Sequence, residues 1–496
     1  MGSTTFLLPN PLPPAAESLL RLACVAGGYD QAPTPTAVRV EGDRLILSRD
    51  SAESGFLVVP WPVGSGGAVV TTSATVRERP ESYRLLTELA RGKLNQLRTQ
   101  LGEWKDIGLQ TPPEFEADLA DLIRLFGQAV LAPDGTAADD AAARALEHGY
   151  VLADRLVQLY VDQMFATRHE DEGKLGSWLA ATTPVPVPPP LVAEFRRAFS
   201  AVRVSIRWAD IEPEESRYDW DRVDAAITAA EELGLPVVFG PVIDLTPGML
   251  PPWAATWRGD MPTLAAFMCD YLETIVNRYK DRVRRWVVCG GVNHADGLGL
   301  SDHDRLRLAS RLFEAAAQLD PELDFALGVA QPFGDYLVSG DQTITPLAFV
   351  DDLLRAGARV GGIELELRTG SLPRGSFPRD RLEVSRLLDL FGILGPPLDV
   401  VLACPAGSGT DPIAQAHGEV IWSPAWRGPP TPEGQAEWGM AVAALALCKP
   451  QVRSVTWDHW ADVEPHLTPN GGLFAVSGRA NPLLGRLQGL RATHLE

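Results

Sequence analysis

Hydrophobic positions beyond about residue 173 recur as short apolar runs, at 175–182, 201–208, 236–243, 285–292, 324–331, 361–368, 398–404 and 454–461. Between them the spacing lengthens to the three-and-four rhythm of amphipathic helices, as at 219–233, 262–279, 304–319, 379–391 and 432–447. Eight strands alternating with helices, at roughly 35–40 residues per unit, predict a (β/α)8 barrel over residues 173–496, and so an α/β fold class. An open doubly wound sheet is the competing arrangement, but no GxGxxG follows a first strand to favour it.

The first 78 residues alternate with period two instead. Thr36-Ala37-Val38-Arg39-Val40, the turn Glu41-Gly42-Asp43 and Arg44-Leu45-Ile46-Leu47 read as a hairpin, and 55–63 and 68–76 repeat the pattern. A small β-sandwich over 1–78 is expected, either carbohydrate-binding-like or merely packed on its neighbour. From Glu81 the spacing Leu85-Leu86-Leu89-Leu94-Leu97-Leu101 marks a long amphipathic helix, with more helix at 114–131 and 138–168. Residues 79–172 therefore read as a helical connector, and they carry no chemical motif.

Composition narrows the partners. Of 496 residues, 45% are hydrophobic and 22% charged, which suits a chain with a sizeable core. A net charge of −20 repels phosphate backbones and anionic lipid, so neither nucleic acid nor a membrane is an expected partner. Five dispersed cysteines without a CxxC pair point away from a disulfide framework and a structural zinc site. The N-terminus lacks the basic start and apolar core of a signal peptide, and the expected location is cytoplasmic. Thirteen tryptophans leave sugar-stacking surfaces open, although most indoles fill cores.

In a barrel of this kind function gathers where strands end. Those ends supply Arg207 and Trp208 after strand two, Asp244 after strand three, and Asn293 and His294 after strand four. Gln331 follows strand five, and Trp457, Asp458 and Trp460 end strand eight. Strand six carries Glu364, Glu366 and Arg368 two apart, so they share one face while Ile363, Leu365 and Leu367 share the other. The apolar set must meet the helices, which turns the charges into the barrel. There they form either a catalytic or binding site or a buried ion pair between barrel layers. Asp458 between Trp457 and Trp460 would suit a sugar ring stacked and hydrogen-bonded. Asp296, Asp302, His303 and Asp304 raise a metal possibility, but Asp302-His303-Asp304 has the look of a helix start, so no metal set is expected. The proline-rich segment 184–190 reads as a stiff connector or a wall beside the mouth, and 371–380 could bring Arg374 and Arg379 over the site.

These residues resemble glycoside hydrolase family 10, the xylanase family. The stretch from Phe199 through Arg207-Trp208, Ile211-Glu212-Pro213 and Tyr218-Asp219-Trp220 is similar to the family's segment around strand two. Trp286 to Asn293, Gly361 to Arg368, Ser454-Val455-Thr456-Trp457 with Asp462, and Gly472-Leu473-Phe474 follow in the family's order. The resemblance spans about residues 173–496 and implies a carbohydrate ligand and no cofactor. It also implies two substitutions: His294 stands where the family has its acid/base glutamate, and Leu402-Ala403-Cys404-Pro405 where it has the nucleophile. Retaining hydrolysis needs two carboxyl groups about 5–5.5 Å apart, which those positions do not supply.

The leading expectation is an atypical glycoside hydrolase acting on a glycan at the C-terminal face of the barrel. Glu366 would be nucleophile or base, Asp244 or Asp458 the partnering acid, His294 a proton shuttle and Arg368 a tuner of Glu366. Arg207, Trp208, Asn293, Gln331, Glu364, Trp457 and Trp460 would complete the substrate site. The alternative is a non-catalytic glycan-binding or scaffold protein that kept the barrel and lost the chemistry. Oligomeric state is not legible.

Overall fold

The computed structural model describes residues 2–14, 16–64, 67–183, 185–294, 298–371, 375–414, 430–475 and 477–496. The apolar runs of the C-terminal two thirds become parallel strands: β1 Trp178–Thr182, β2 Ala201–Val204, β3 Val237–Phe239 resuming at Ile243–Asp244, and β4 Arg285–Gly290. They continue as β5 Asp324–Ala330, β6 Gly362–Arg368, β7 Leu398–Ala403 and β8 Val452–Trp457. Each pairs in parallel with the next, and β8 pairs with β1 through Ser454–Trp178 and Trp457–Ala181, which closes the ring. The expected (β/α)8 barrel is therefore the observed fold. Closure explains why β7 reads Leu-Asp-Val-Val-Leu-Ala and is buried throughout, since lumen and helices cover both faces.

The helices between strands have ordinary physical starts. Asp260 caps Met261–Tyr279, Thr345 caps Pro346–Arg355 and Thr431 caps Pro432–Cys448, each accepting a backbone N–H from the first turn. The helix start expected at Asp302-His303-Asp304 is observed as Asp302–Leu319, and its cap is Ser301, whose Oγ accepts from the Asp304 amide at 3.2 Å.

The N-terminal region holds two four-stranded sheets. One orders Ala37–Glu41, Arg44–Arg49, Gly2–Leu7 and Tyr83–Arg84; the other Ala32–Thr34, Cys24–Gly27, Gly55–Pro62 and Ala68–Val76. Phe6, Leu45, Leu47, Leu57 and Trp61 from these strands lie in one continuous core with the barrel's leucines and valines. The first long helix begins at Leu85, later than the sequence spacing from Glu81 implies, because Tyr83 and Arg84 pair as strand with Phe6 and Leu7. It runs to Asp106, followed by Pro113–Leu131 and the 38-residue Gly135–Glu172.

This helical layer is tied to the barrel by polar as well as apolar contacts. Lys93 forms an ion pair with Asp380 in which both side chains are 2% exposed. Asp380 also caps the barrel helix Arg381–Gly392, accepting the Glu383 amide at 3.2 Å. Burial pushes the Asp380 carboxyl above its ordinary range, opposed by the Lys93 charge. Arg381 reaches Asp154 of the long helix at 3.2 Å, and the Val70 amide donates to the Pro378 carbonyl at 2.8 Å.

At the opposite end of the barrel Arg285, Asp324, Asp399 and Arg453 interlock across β4, β5, β7 and β8. Arg453 spans Asp324 at 2.6 Å and Asp399 at 2.8 Å, and Arg285 meets the same two carboxylates. Charges at strand starts belong to the stabilising face of such a barrel.

Candidate functional site

The C-terminal ends of β1, β2, β3, β6 and β8 surround a cavity of about 940 Å³, open solvent included. Glu366, Arg368, Asp244 and Asp458 line it, with Arg203, Arg207, Trp208 and Thr182. The alternation in β6 places Glu364, Glu366 and Arg368 on the inner face, all buried, while Ile363, Leu365 and Leu367 join the apolar core outside.

The buried charges are paired. Arg368 binds both Asp458, through Nε at 2.9 Å and Nη2 at 3.2 Å, and Glu366. Burial raises the Asp458 carboxyl, yet the Arg368 charge and hydrogen bonds, helped by His459 and Arg203, bring it down to about 2. One layer deeper, Arg203 of β2 donates to Glu364 at 2.6 Å, and Glu364 does not line the cavity. Burial moves the Glu364 carboxyl upward, against the pull of Arg203. Near the mouth, Arg207 forms a bidentate pair with Asp210 at 2.9 and 2.6 Å. Asp244 is half-buried, and its Oδ1 accepts the Thr246 amide at 2.8 Å. Among the described residues no salt bridge is recorded for Asp244, which sets it apart from the cavity's other carboxylates.

Three polar atoms of cavity-lining residues are buried without a hydrogen-bond partner among the described residues: Arg203 Nε, Thr182 Oγ1 and His459 Nδ1. Unsatisfied buried donors are costly and ask for a polar occupant.

Several residues expected at the site lie elsewhere. The Asn293 amide is tied to Ala330, donating to its carbonyl at 2.8 Å and accepting its N–H at 3.0 Å, so it buttresses the β4–β5 exits. His294 stacks obliquely on Tyr336, ring centres 5.1 Å apart, and its carbonyl accepts from Gln342 at 2.7 Å. Neither Asn293, His294 nor Gln331 lines the cavity. Trp457 faces outward, because it alternates with the inward Thr456 and Asp458; its Nε1 donates to the Gly471 carbonyl at 3.0 Å. Trp460 is buried among Phe195, Phe199 and Phe474. The expected sugar-stacking pair is thus a pair of core residues. Trp208 does border the cavity, stacked on Tyr271 at 4.7 Å with its Nε1 bound to Glu212 at 2.7 Å.

The Arg379 guanidinium turns away from the cavity to Asp335 at 2.5 Å and lies over Phe333, so that cation does not cover the site. Arg374, Pro184 and Asp296 fall outside the described residues. Asp302 is occupied by Arg305, Thr343 and Ile344, which removes it from any metal set.

A cluster the sequence reading passed over lies in the loop after β8. His459, Asp462 and His466 bring ligand-type atoms within 4.8 Å of one another, and both rings border the cavity. Their spacing of three and four is a signal a search for His/Asp groupings could have found.

Comparison with known proteins places these features. Residues 193–307, from the helix before β2 to the start of the helix after β4, match the model of glycosyl hydrolase family 10. Endo-1,4-beta-xylanase 1 of Gibberella zeae is 25% identical over 93 residues, which is 19% of this chain and about a quarter (26%) of that relative's length. Among solved structures, native xylanase 10B of Thermotoga maritima superposes with a TM-score of 0.48 at 16% identity, covering 65% of this chain and 97% of its own. The family 10 structure from Paenibacillus barcinonensis gives 0.49 at 17%, covering 65% and 97%. Xylanase 10B of Thermotoga petrophila in complex with xylobiose gives 0.45 at 15%, covering 64% and 94%. The chain is thus a glycoside hydrolase-like barrel protein, similar in sequence to glycosyl hydrolase family 10 through residues 193–307.

Proposed function

We propose that this protein binds an oligosaccharide in the cavity at the C-terminal face of its barrel without hydrolysing it by the two-carboxylate route. The observation that carries the reading is the Arg368 clamp. A retaining site needs one free carboxylate as nucleophile and a second carboxyl that is protonated at the start. Here one guanidinium holds Glu366 and Asp458 together, and Asp458, brought down to about 2, is ionised at any physiological pH. Such an ion triad offers fixed acceptors and donors to sugar hydroxyls but has no acid to give a leaving group. Arg203 Nε and Thr182 Oγ1, buried and unsatisfied in the same wall, add donors of the kind a hydroxyl-rich ligand satisfies.

One observation favours a second reading. Asp244, without a recorded salt bridge, faces the same cavity and could serve as an acid/base opposite the Glu366 side. Calorimetric titration with xylo-oligosaccharides and other β-1,4-linked oligomers, run beside a reducing-end assay, separates the two. Saturable binding without sugar release, weakened at least tenfold by Arg207→Ala with the melting temperature unchanged, is the expected result. Sustained turnover that Asp244→Asn abolishes would replace the binding reading with hydrolysis. Robust cleavage of xylan that survives Asp244→Asn would remove both.

A further inference from the structure

We infer that His459, Asp462 and His466 form a binding site for one divalent metal ion of the zinc class at the edge of the barrel mouth. The inference does not depend on what the cavity binds.

The loop after β8 holds these three side chains by many independent bonds. The Trp460 amide donates to the Thr182 carbonyl at 2.9 Å, and the Asp462 amide to Phe474 at 2.9 Å. The Gly472 amide donates to Asp462 Oδ1 at 2.7 Å. All three residues are buried, so their geometry is fixed before any ion arrives.

His459 Nε2 lies 3.0 Å and His466 Nε2 3.7 Å from Asp462 Oδ1. In a tetrahedral site with metal–ligand bonds of about 2.0–2.1 Å, ligand atoms stand about 3.3 Å apart. The two observed separations bracket that value, and all three ligand atoms lie within 4.8 Å of one another.

Hydrogen-bond accounting points the same way. His466 Nδ1 is 2.7 Å from the Glu464 carbonyl, an oxygen that can only accept, so the hydrogen sits on Nδ1. That leaves Nε2 to face Asp411 Oδ2 at 2.8 Å as well as Asp462. Two carboxylates thus converge on the inner nitrogen, which is the surrounding a bound cation requires. A ring whose outer nitrogen donates to a carbonyl while the inner one faces anions is the usual posture of a metal-bound histidine. His459 stacks on His466 with ring centres 4.3 Å apart and planes 15° from parallel. One metal ion would serve both rings with a single centre of charge. His459 Nδ1 is buried without a hydrogen-bond partner among the described residues, so no hydrogen bond there fixes which nitrogen of this ring turns to an ion.

Two imidazoles and one carboxylate suit zinc or cobalt(II) better than calcium or magnesium, which take oxygen ligands. Because both rings border the cavity, a further coordination position would open toward it, beside Asp458.

The test uses the full chain, stripped with a chelator and dialysed into metal-free buffer. Calorimetric titration with Zn²⁺ should give one equivalent bound with a dissociation constant of micromolar or below. Co²⁺ in its place should give visible d–d absorption of a nitrogen- and oxygen-ligated ion. His466→Gln and Asp462→Asn should each weaken Zn²⁺ binding at least tenfold while the metal-free far-ultraviolet spectrum stays native. If either variant fails to fold, His459→Gln serves instead. His494→Gln, which removes the separate pair of His494 and His169, should leave the binding unchanged. Absence of saturable binding by the folded wild-type chain would overturn the inference. So would binding unaffected in His466→Gln, or binding lost in His494→Gln.

Discussion

Replacing Arg368 by methionine keeps an unbranched apolar stem and removes the cation between Glu366 and Asp458. Both carboxylates then remain in a buried lumen, and breaking such a pair from one side costs about 3–5 kcal/mol. A partial check comes from Asp458 itself. Its folded carboxyl sits at about 2 against an ordinary 3.8, a difference worth about 2 kcal/mol even after the burial penalty is included. In the wild type that contribution is complete above the ordinary carboxylate range and is lost as pH falls from about 4 toward 2, the sign expected for a depressed carboxyl. In Arg368→Met the largest lowering influence is gone and only His459 and Arg203 still oppose burial, so the folded Asp458 carboxyl moves up, in the direction that binds a proton on folding. The variant should therefore regain stability on acidification while the wild type holds level. Urea unfolding followed by tryptophan fluorescence should give a deficit of about 3–5 kcal/mol at pH 7 that narrows at pH 4.5. If the barrel melts as one unit, about 2.1 cal/mol/K per residue over roughly 320 residues makes the thermal shift at pH 7 about 4–7 °C. A deficit under about 1 kcal/mol at pH 7, or one that does not change with pH, would refute the idea that Arg368 neutralises these carboxylates.

Lys93→Met leaves Asp380 buried and unpaired and should cost about 3–5 kcal/mol in the same unfolding assay, whereas Lys105→Met, at an exposed pair, should stay within about 1 kcal/mol. Expressed alone, residues 173–496 should be poorly soluble and less heat-stable than the full chain, because the buried leucine face of the helix Leu85–Asp106 and the Lys93 contact are removed together; an equally stable, monomeric barrel would refute this. Burial raises every thiol, Cys24, Cys404 and Cys448 to about 12, and only Cys269 is half-buried, so iodoacetamide at pH 8 should label Cys269 at most in the native chain and all five in urea.

How much of this was legible beforehand depends on the kind of signal. The barrel was, because a closed parallel sheet buries both faces of each strand and therefore writes continuous apolar runs at a regular interval. The inward triad Glu364, Glu366 and Arg368 was legible for a related reason: charges at every second position of an otherwise apolar strand can only face a lumen. The partners were not. Nothing local in the sequence joins Arg203 to Glu364, separated by 161 positions, or Lys93 to Asp380, separated by 287. Trp457 and Trp460 misled because an indole beside an aspartate suggests a sugar platform equally well whether it faces the lumen or the helices. Asn293 and His294 were assigned to the cavity from their place at a strand end. The structure turns them toward Ala330 and Tyr336 instead, on the far side of the β4 exit.

Up to Asp458 the end of β8 keeps two inventories apart by parity, a rule that stops in the loop, where His459 borders the cavity and Trp460 packs among phenylalanines. Even-numbered Asp458 lines the cavity and Thr456 shares its face of the strand, while odd-numbered Val455 and Trp457 join the apolar core. A change at 458 can therefore alter what the cavity offers while leaving the Trp457 packing intact, and the reverse holds for 457. A single inserted residue, by contrast, would exchange the two sets and drive an indole into a space now held by a carboxylate. For anyone rewriting this pocket, substitutions along β8 form a separable alphabet, whereas changes of length there rewrite core and cavity at once.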